Sequence, residues 1–347
     1  MSTVVALDIG SSAIAGAEIK DGRLTRAAVE DLPEGLVVDG EVADPVALAN
    51  QIKAFWKASK FTGKAVRLGV ANQRVVVRNI DLPVIDDPDE LRAAVEIEAA
   101  DHIPIPPDQA IIDFQPVGWY ENDEGPRQRL VVVAAHKEMI ETLLSVMKRA
   151  GLRVDGIDLE AFALIRSLVP ARGQVTDATV VCHIGASATN IVVSADNVSQ
   201  FTRLVGLGGV DLTNAVADQT GLAPHEAEAL KAACGLLGDV PAGWDQATVT
   251  RVRHALALAV RPLVQEIGRT IDFYRTQEFS RPVEHLVLSG GTALCAGLDR
   301  YVSQALGIEV VIGDPLQNLA RGADLTPDVA TRAAVAVGLA LDAPEES

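Results

Sequence analysis

Two short stretches of the sequence carry small and polar residues of the kind that bind phosphate groups. They read VVALDIGSSAIAGAEIKDGRL near the start of the chain and TVVCHIGASATNIVVSADNVS in its middle. The separation between corresponding residues is constant and far too long for a solenoid period, so it indicates two copies of one domain-sized unit. The corresponding pairs are Asp8 and His183, Gly10 and Gly185, Ser11 and Ala186, and Ser12 and Ser187.

Each copy has an apolar strand, a turn of small residues, a second strand and a tight hairpin turn. That turn is Asp21-Gly22 in the first copy and Asp196-Asn197 in the second. Small side chains let backbone N–H groups and hydroxyls approach an anion closely. One copy alone could be only a strand end and a turn, but two facing hairpins would form a phosphate clamp.

Asp8 is the charged residue beside the first clamp loop. A carboxylate would repel phosphate unless a divalent cation lay between them. Mg²⁺ commonly bridges carboxylates and substrate phosphates, often through waters that it retains. Asp8 is therefore a candidate for orienting Mg²⁺ through water.

Composition limits the classes of partner. The chain has 347 residues, enough for two or three domains, and a formal net charge of −17 with no basic cluster. Nucleic acids and anionic lipid surfaces are thus poor direct partners. The sequence has no apolar run of the roughly 20 residues that a membrane helix needs, and no basic region typical of a secretory signal. Its three cysteines are isolated in apolar runs, so we expect buried thiols and a cytoplasmic protein.

The pattern of elements predicts an α/β protein with an insertion in its first half. We expect a helix from Pro45 to about Lys60, then strands at 65–70 and 75–80. In the insertion, a helix capped by Asp86 or Asp87 should begin near Pro88 and end at His102, before three prolines. Strands at 111–117 and 130–135, joined by a polar loop, and a helix at 137–149 should follow.

The second copy should begin near Thr179. The run beginning at Gly206 leads from a strand into a helix, and Pro224 starts another helix. A long amphipathic helix is expected from about Gln246 to Glu278. A strand at 285–288 then enters the small-residue run Ser289-Gly-Gly-Thr-Ala.

These motifs, in this order, resemble those of the actin-like ATPase superfamily. Asp8-Ile-Gly-Ser-Ser is similar to its first phosphate motif, His183-Ile-Gly-Ala-Ser to the second, and Ser289-Gly-Gly-Thr-Ala to its adenosine motif. Within the superfamily, other runs resemble the PilM family of type IV pilus assembly proteins over nearly the whole chain. Those runs are Glu96-Ile-Glu-Ala-Ala-Asp-His-Ile-Pro, Asp113-Phe-Gln, Gly151-Leu-Arg-Val-Asp, Ala227-Glu-Ala-Leu-Lys and Ala334-Val-Ala-Val-Gly-Leu-Ala-Leu.

The resemblance implies an actin-like (ribonuclease H-like) duplicated α/β fold, with two halves around a nucleotide cleft and an inserted FtsA-like subdomain. Its parts would be subdomain 1A at 1–77, the inserted subdomain 1C at 78–150, and a return to 1A with a linking helix at 151–175. The second half, IIA and IIB, would span 176–328 with the adenosine motif at 286–297. Residues 329–347 would form a C-terminal helix on 1A and an acidic tail.

The resemblance also implies ATP and Mg²⁺ as ligands, with site residues at matching positions. Glu160, on the linking helix, would position the attacking water. Phosphates would lie between Gly10, Ser11 and Ser12 on one side and Gly185, Ala186 and Ser187 on the other. The remaining nucleotide contacts would come from Gly208, Gly209, Glu228, Lys231, Gly290, Gly291 and Thr292.

The partner implied by the resemblance is the cytoplasmic N-terminus of a PilN-like inner-membrane protein, bound in a groove where 1A meets 1C. We expect Ile103 and Ile105 to be exposed there, because the prolines around them hold the backbone extended. The protein would then lie at the inner face of the membrane without inserting into it. Contacts with the pilus assembly ATPases, service to a related type II secretion-like machine, and self-association stay open.

Two departures from the superfamily pattern predict slow or no hydrolysis. His183 stands where the second phosphate motif usually has Asp, and Ala15 or Gly16 stands where the first motif often has Lys. Phosphoryl transfer depends on charge neutralisation and positioning, and both groups would contribute to these. The expected function is therefore an ATP-binding scaffold.

The alternatives are an active phosphotransferase or ATPase like the sugar kinases, and an FtsA-like division protein. The acidic C-terminal residues disfavour the last, because FtsA relatives attach to membranes through a basic amphipathic helix.

Overall fold

The computed structural model describes residues 3–170, 177–320 and 323–341. Its framework is two five-stranded sheets with the same strand order. The first sheet runs β10-β6-β1-β2-β3 and the second runs β15-β14-β11-β12-β13. The strands of the first are β1 Thr3–Ile9, β2 Ala13–Lys20, β3 Arg23–Asp31, β6 Ala65–Val70 and β10 Arg153–Leu159; those of the second are β11 Ala178–Ile184, β12 Thr189–Ala195, β13 Val198–Val205, β14 Val283–Ser289 and β15 Glu309–Ile312.

The pairing within the sheets also repeats. β1 pairs antiparallel with β2 and parallel with β6, as β11 pairs with β12 and β14. In register, Asp8 lies opposite Ala15 and His183 lies opposite Asn190. The duplication expected from the sequence is therefore a duplication of strand order, direction and register.

The helices cover the sheets and connect the two halves. In the first half are α1 Pro45–Ser59, α3 Lys137–Ala150 and a short hairpin formed by β4 Val37–Val38 and β5 Glu41–Val42. The linking helix α4 spans Glu160–Leu168. The second half contains α5 Gly209–Thr220, α6 Pro224–Cys234, α7 Gln246–Arg275, 3-10 turn Gly291–Leu294, and α8 Leu298–Leu306. The chain then forms α9 Pro327–Arg332 and α10 Ala334–Ala340.

A central apolar layer lies between the two sheets. It includes α4 and α10, together with one face of each sheet, represented by Ala6 and Ala17 in the first half and Val181 and Val287 in the second. α10 contacts α4, β1, β2 and β6, so the C-terminal helix packs on the first half. The acidic tail expected after it lies outside the described residues.

The insertion is a separate three-stranded sheet covered by one helix. It contains β7 Val75–Pro83, α2 Pro88–His102, a 3-10 turn at Pro107–Gln109, β8 Ala110–Asn122 and β9 Gly125–His136, in the order β7-β9-β8. As predicted, Asp87 caps α2, accepting hydrogen bonds from the backbone N–H groups of Asp89 and Glu90. The prediction of a polar loop between β8 and β9 is wrong, because both strands continue to a tight turn at Asp123-Glu124.

The edges of the insertion differ from the expected 78 and 150. Its sheet starts at Val75 and ends at His136. α3 packs instead against α1, and its residues Leu143, Val146 and Met147 belong to the core of the first half. Packing therefore groups α3 with the first half.

Candidate functional site

The turns of the two equivalent hairpins face each other at the centre of the molecule. In the first turn the N–H of Gly10 donates to the carbonyl of Ala13 at 2.9 Å, and in the second Gly185 donates to Ala188 at 3.0 Å. Across the gap, the hydroxyl of Ser187 donates to that of Ser11 at 2.9 Å. The duplicated motif thus forms two matching turns joined at their tips.

Glycine is required in these turns because the chain folds back on itself. A Cβ at Gly10 would lie 3.3 Å from the carbonyl oxygen of Ala13, and a Cβ at Gly185 would lie 3.0 Å from that of Ala188. Both separations are tighter than ordinary van der Waals contact. Side chains at these positions would push the turn open and separate the N–H groups that could face an anion.

The floor between the hairpins is polar. Alternate residues of β1 face the central layer, so Asp8 continues the face formed by Ala6. By the same alternation His183 continues the face of Val181. Glu160, the first residue of α4, is reached by a hydrogen bond from Asn190, the residue opposite His183 in β12. Four polar side chains therefore line the end of the central layer: Asp8, Glu160, His183 and Asn190.

The two carboxyl groups of this floor hold their protons unusually tightly. Burial raises the pKa of Asp8 to about 7. Burial also raises the pKa of Glu160 well above its ordinary value, and the charge of Asp8 adds to that shift, whereas the hydrogen bond from Asn190 opposes it. Asp8 is only 8% exposed, yet it makes no hydrogen bond to any described residue. A buried carboxylate without a partner fits a cation site, because a bound dication would compensate its charge.

The pKa of His183 shifts in the opposite direction. Burial lowers its pKa to about 4, so the imidazole is neutral at pH 7. Its Nδ1 lies 3.4 Å from the hydroxyl of Ser289, which is completely buried. That hydroxyl donates to the carbonyl of Thr331 at 3.0 Å. His183 is thus held against the strand that leads into the adenosine-like motif.

A second group of small residues closes around the hairpin of the second half. The N–H of Gly209 and the hydroxyl of Thr292 both donate to the carbonyl of Gly185, at 2.9 and 3.2 Å. The buried ammonium of Lys231 donates to the carbonyl of Gly209 at 3.2 Å and lies 2.6 Å from the carboxylate of Glu228. Lys231 therefore holds the start of α5 in place from the buried side. Glu228 is the more exposed residue of this ion pair.

Two glycines of this group admit no side chain. Gly290 has φ +85°, and a Cβ there would lie 2.4 Å from the carbonyl oxygen of Ile184. At Gly208 the nearest atom would be the carbonyl oxygen of Ala186, also at 2.4 Å. Gly291 differs, because its Cβ would make only ordinary contact with Arg332 at 3.6 Å. The backbone constraint in the adenosine-like motif therefore lies at Gly290 and not at Gly291.

The structure separates Ile103 and Ile105 from the other candidate residues. Each side chain is 6% exposed and packs with Val95, Leu130 and other residues of the insertion core. The expectation that they are exposed is wrong. The prolines do hold this segment outside a helix, but the two isoleucines turn inward to cover the sheet of the insertion.

Asn190 and Ser289 are functional candidates that the motif search missed. Asn190 corresponds to Ala15 in the first copy, so the repeat itself conceals it. The signal was the hairpin register, which puts this residue opposite His183. Ser289 opens the small-residue motif, but only the parallel pairing of β11 with β14 brings it to His183.

Comparison with known families matches almost the whole chain. Residues 6–343 match the sequence model of the family described as Type IV pilus assembly protein PilM. The fold is similar to that in the solved structure of a PilM-PilN type IV pilus biogenesis complex, with a TM-score of 0.83 and 27% identity over 97% of each chain. No helix among the described residues is long and apolar enough to cross a membrane.

More distant relatives share the fold. The cell division protein FtsA of Streptococcus pneumoniae is 24% identical over 90% of this chain and 75% of its own length. The structure of MreB5 of Spiroplasma citri bound to AMPPNP is 14% identical, with a TM-score of 0.55, over 97% of this chain and 94% of that one. These likenesses, with the repeated sheets, confirm the duplicated actin-like fold predicted from the sequence.

Proposed function

The chain belongs to the PilM family of type IV pilus assembly proteins, and on that premise we propose that it is an ATP-binding scaffold of a pilus assembly machine. Its partner is the cytoplasmic N-terminus of a PilN-like inner-membrane protein, which holds it at the inner face of the membrane. The observation that carries the ATP-binding part is the pair of facing glycine turns above a buried carboxylate, Asp8, that has no partner among the described residues.

In this proposal the two turns grip the phosphates. Gly10 and Gly185 close the turns through their own backbone hydrogen bonds. The turns then offer the N–H groups and hydroxyls of Ser11 and Ser12 from the first half, and the N–H groups of Ala186 and Ser187 with the Ser187 hydroxyl from the second. A bound Mg²⁺ would neutralise phosphate charge, and Asp8 would hold it through water. The adenosine would lie against a backbone whose glycines let neighbouring segments pack closely. Those glycines are Gly208, Gly209, Gly290 and Gly291, with Thr292, Glu228 and Lys231 beside them.

The state of Glu160 supports slow turnover. A carboxyl group must be ionised to accept a proton from an attacking water, and burial together with the charge of Asp8 keeps the pKa of Glu160 high. The neutral His183 also brings no negative charge to orient a hydrated cation. The alternative, an active phosphotransferase, requires an ordinary rate of roughly 1–100 per second. A sensitive assay of phosphate release separates the two, because the scaffold should turn over far more slowly.

The partner groove is best sought at the cavity where the insertion leaves the first half. This cavity, about 230 Å³, opens beside residues 70–72 and 75–78, which join β6 to β7. It is flanked by Leu159 at the end of β10 and by Ala161 of the linking helix. Asn190, Thr202 and Leu204 flank it from the second half. An extended peptide could place one apolar side chain in a cavity of this size. We therefore replace Ile103 and Ile105 with the residues of this cavity as the proposed docking site.

Isothermal titration with ATP and with a synthetic peptide of the cognate PilN-like N-terminus tests both parts. Thr202→Trp should fill the cavity and weaken peptide binding at least about tenfold, which is about 1.4 kcal/mol, while ATP still binds. Thr142→Trp, on α3 and outside the cavity, is the matched control. Equal peptide binding by both variants would move the groove elsewhere. Absence of ATP binding by the unmodified protein would remove the nucleotide part of the proposal.

A further inference from the structure

The tautomer of His183 follows from its hydrogen bonds. The hydroxyl of Ser289 has one proton, and it donates that proton to the carbonyl of Thr331 at 3.0 Å. Nδ1 of His183 lies 3.4 Å from the same hydroxyl oxygen, so only an Nδ1–H can interact with it favourably. The neutral ring therefore carries its proton on Nδ1. Its Nε2 retains a free lone pair and has no hydrogen-bond partner in the described part of the chain.

This nitrogen belongs to the polar floor between the hairpins. His183 continues the strand face that includes Val181 and looks into the central layer, as Asp8 does in the first half. Its neighbour across the hairpin is Asn190, whose side chain reaches Glu160. The floor therefore offers an imidazole nitrogen from one half and carboxylate oxygens from the first half and the linking helix. Asp8, which is nine-tenths buried and unpartnered, is the independent sign that a cation belongs here.

The chemistry of these donors differs from that of an all-oxygen site. Mg²⁺ takes oxygen ligands almost exclusively, in nearly ideal octahedral geometry. An imidazole nitrogen suits the later first-row dications, and affinity for such sites rises from Mn²⁺ through Co²⁺. Among the described residues, the ligand atoms of Asp8, Glu160 and His183 do not all lie within 4.8 Å of one another. Phosphate oxygens or waters would therefore have to complete the shell.

We propose that His183 makes the cleft select a first-row transition dication over Mg²⁺ as the companion of the bound nucleotide, with Asp8 and Nε2 of His183 on its two sides. This inference rests on the proposed nucleotide binding and replaces the Mg²⁺ of that proposal with a transition dication. The inference also explains why the imidazole is neutral and held in place. Ser289 keeps the proton of His183 on Nδ1, and in this tautomer the lone pair of Nε2 is free to bind the cation.

Titrations of the protein with ATP, in separate buffers that contain EDTA, Mg²⁺, Mn²⁺ or Co²⁺, measure the cation preference. The unmodified protein should bind ATP at least about tenfold more tightly with Mn²⁺ or Co²⁺ than with Mg²⁺, the scale on which single ligand changes act. His183→Asp should remove most of this ratio by strengthening binding with Mg²⁺. His183→Asn, which removes the imidazole nitrogen without adding charge, should weaken only the binding with Mn²⁺ and Co²⁺.

A spectroscopic measurement on the unmodified protein makes the test independent of how the variants fold. Electron spin-echo modulation of Mn²⁺ in the ATP complex should show coupling to ¹⁵N when only the histidines carry that isotope. Without ATP, Mn²⁺ should bind weakly, because the shell is incomplete. Equal ATP affinity with Mg²⁺ and Mn²⁺, or no histidine coupling, would overturn the inference while leaving ATP binding intact. No ATP binding with any cation would instead refute the proposed function.

Discussion

The hairpin of the first half and the hairpin of the second half have the same backbone but different side chains at the cleft. Gly10 and Gly185 close matching turns with hydrogen bonds of 2.9 and 3.0 Å. At the residue that faces the floor, however, the first hairpin has Asp8 and the second has His183. Burial moves the pKa of Asp8 up to about 7 and that of His183 down to about 4. Both groups are therefore neutral in weakly acidic solution.

This contrast indicates which features of a duplicated fold are constrained by geometry and which by ligand chemistry. The turns favour glycine because a Cβ at Gly10 or Gly185 would lie only 3.3 or 3.0 Å from a backbone carbonyl oxygen, tighter than ordinary contact. The floor position has no such limit, since it opens toward the cleft. An acid on one side and a base on the other give a site whose net charge differs from that of a paired-carboxylate site, and the cation that it binds should differ accordingly.

The contact between the linking helix α4 and the C-terminal helix α10 should be the feature most sensitive to substitution. A Cβ on Gly338 of α10 would lie 1.8 Å from the carbonyl oxygen of Ala163 in α4, which is backbone and cannot rotate away. Gly338→Ala should therefore lower the free energy of unfolding by about 3 kcal/mol or more, measured by urea denaturation.

Gly268→Ala in α7 is the matched control for that variant. A Cβ there would lie 3.4 Å from a methyl group of Leu306, an ordinary contact. Alanine is also the better helix former, so this change should be neutral or slightly stabilising. If both variants unfolded at the same urea concentration, the two helices would not be in backbone contact, and the central layer could not hold the halves together as described.

The glycine turns should have the next largest effect. A valine at Gly10 or at Gly185 would force the turn open, so each variant should bind ATP at least about tenfold more weakly, a loss of about 1.4 kcal/mol. Isothermal titration of both variants checks whether the two turns are equivalent. Gly118→Val, in the insertion with no atom within 4 Å of a Cβ, is the control and should leave ATP affinity unchanged. A normal affinity in folded Gly10→Val would show that phosphate binds elsewhere.

The sequence was informative where a local pattern has one structural outcome. The repeat predicted both hairpins, and Asp86 or Asp87 followed by Pro88 predicted the start of α2. Each of these signals depends only on neighbouring residues. The repeat also predicted that Ser11 and Ser187 face each other, because two phosphate-binding turns can form a clamp only when they face each other.

The sequence was misleading where burial depends on distant elements. Ile103 and Ile105 lie among prolines, which determine the backbone but not the direction of the side chains. The sheet of the insertion provides the apolar surface that draws them inward. The loop predicted between β8 and β9 failed for a similar reason. Its polar residues alternate along two strands of an outer hairpin, and the pairing is visible only in the register.

The pKa values of Asp8 and His183 shift in opposite directions, and this should be measurable as opposite changes of protein stability with pH. The folded state binds the proton of Asp8 more tightly than the unfolded chain does, so stability falls as pH rises from about 4 to about 7. For His183 the folded state disfavours the proton, so stability falls as pH drops from 6.5 to about 4. In EDTA and without nucleotide, Asp8→Asn should therefore raise the melting temperature at pH 8 relative to pH 5. His183→Asn should do the reverse.

Each variant is expected to change the difference between the two pH values by the order of 1 kcal/mol, the equivalent of about one unit of pKa. Glu160 faces Asp8, so its own pKa should fall when Asp8 is replaced, and this should add to the stabilising effect of that variant at the higher pH. Calorimetry at both pH values gives the sign directly. Changes of the same sign in both variants would show that the two hairpins do not differ electrostatically in the way described here.

The smallest predicted effect concerns the turns at the far ends of the hairpins, where the halves differ by one residue. Both turns have positive φ at their two central residues, 50° and 72° at Asp21-Gly22 and 54° and 61° at Asp196-Asn197. Glycine adopts this conformation without strain, whereas asparagine tolerates it at a small cost. Asn197→Gly should therefore stabilise the protein and Gly22→Asn should destabilise it, each by about 0.5 kcal/mol. Thermal melts at pH 7 should show shifts of opposite sign. Because neither residue approaches the cleft, ATP affinity should not change in either variant. A shift of the same sign in both would mean that the unfolded chain, and not the turn, determines the effect.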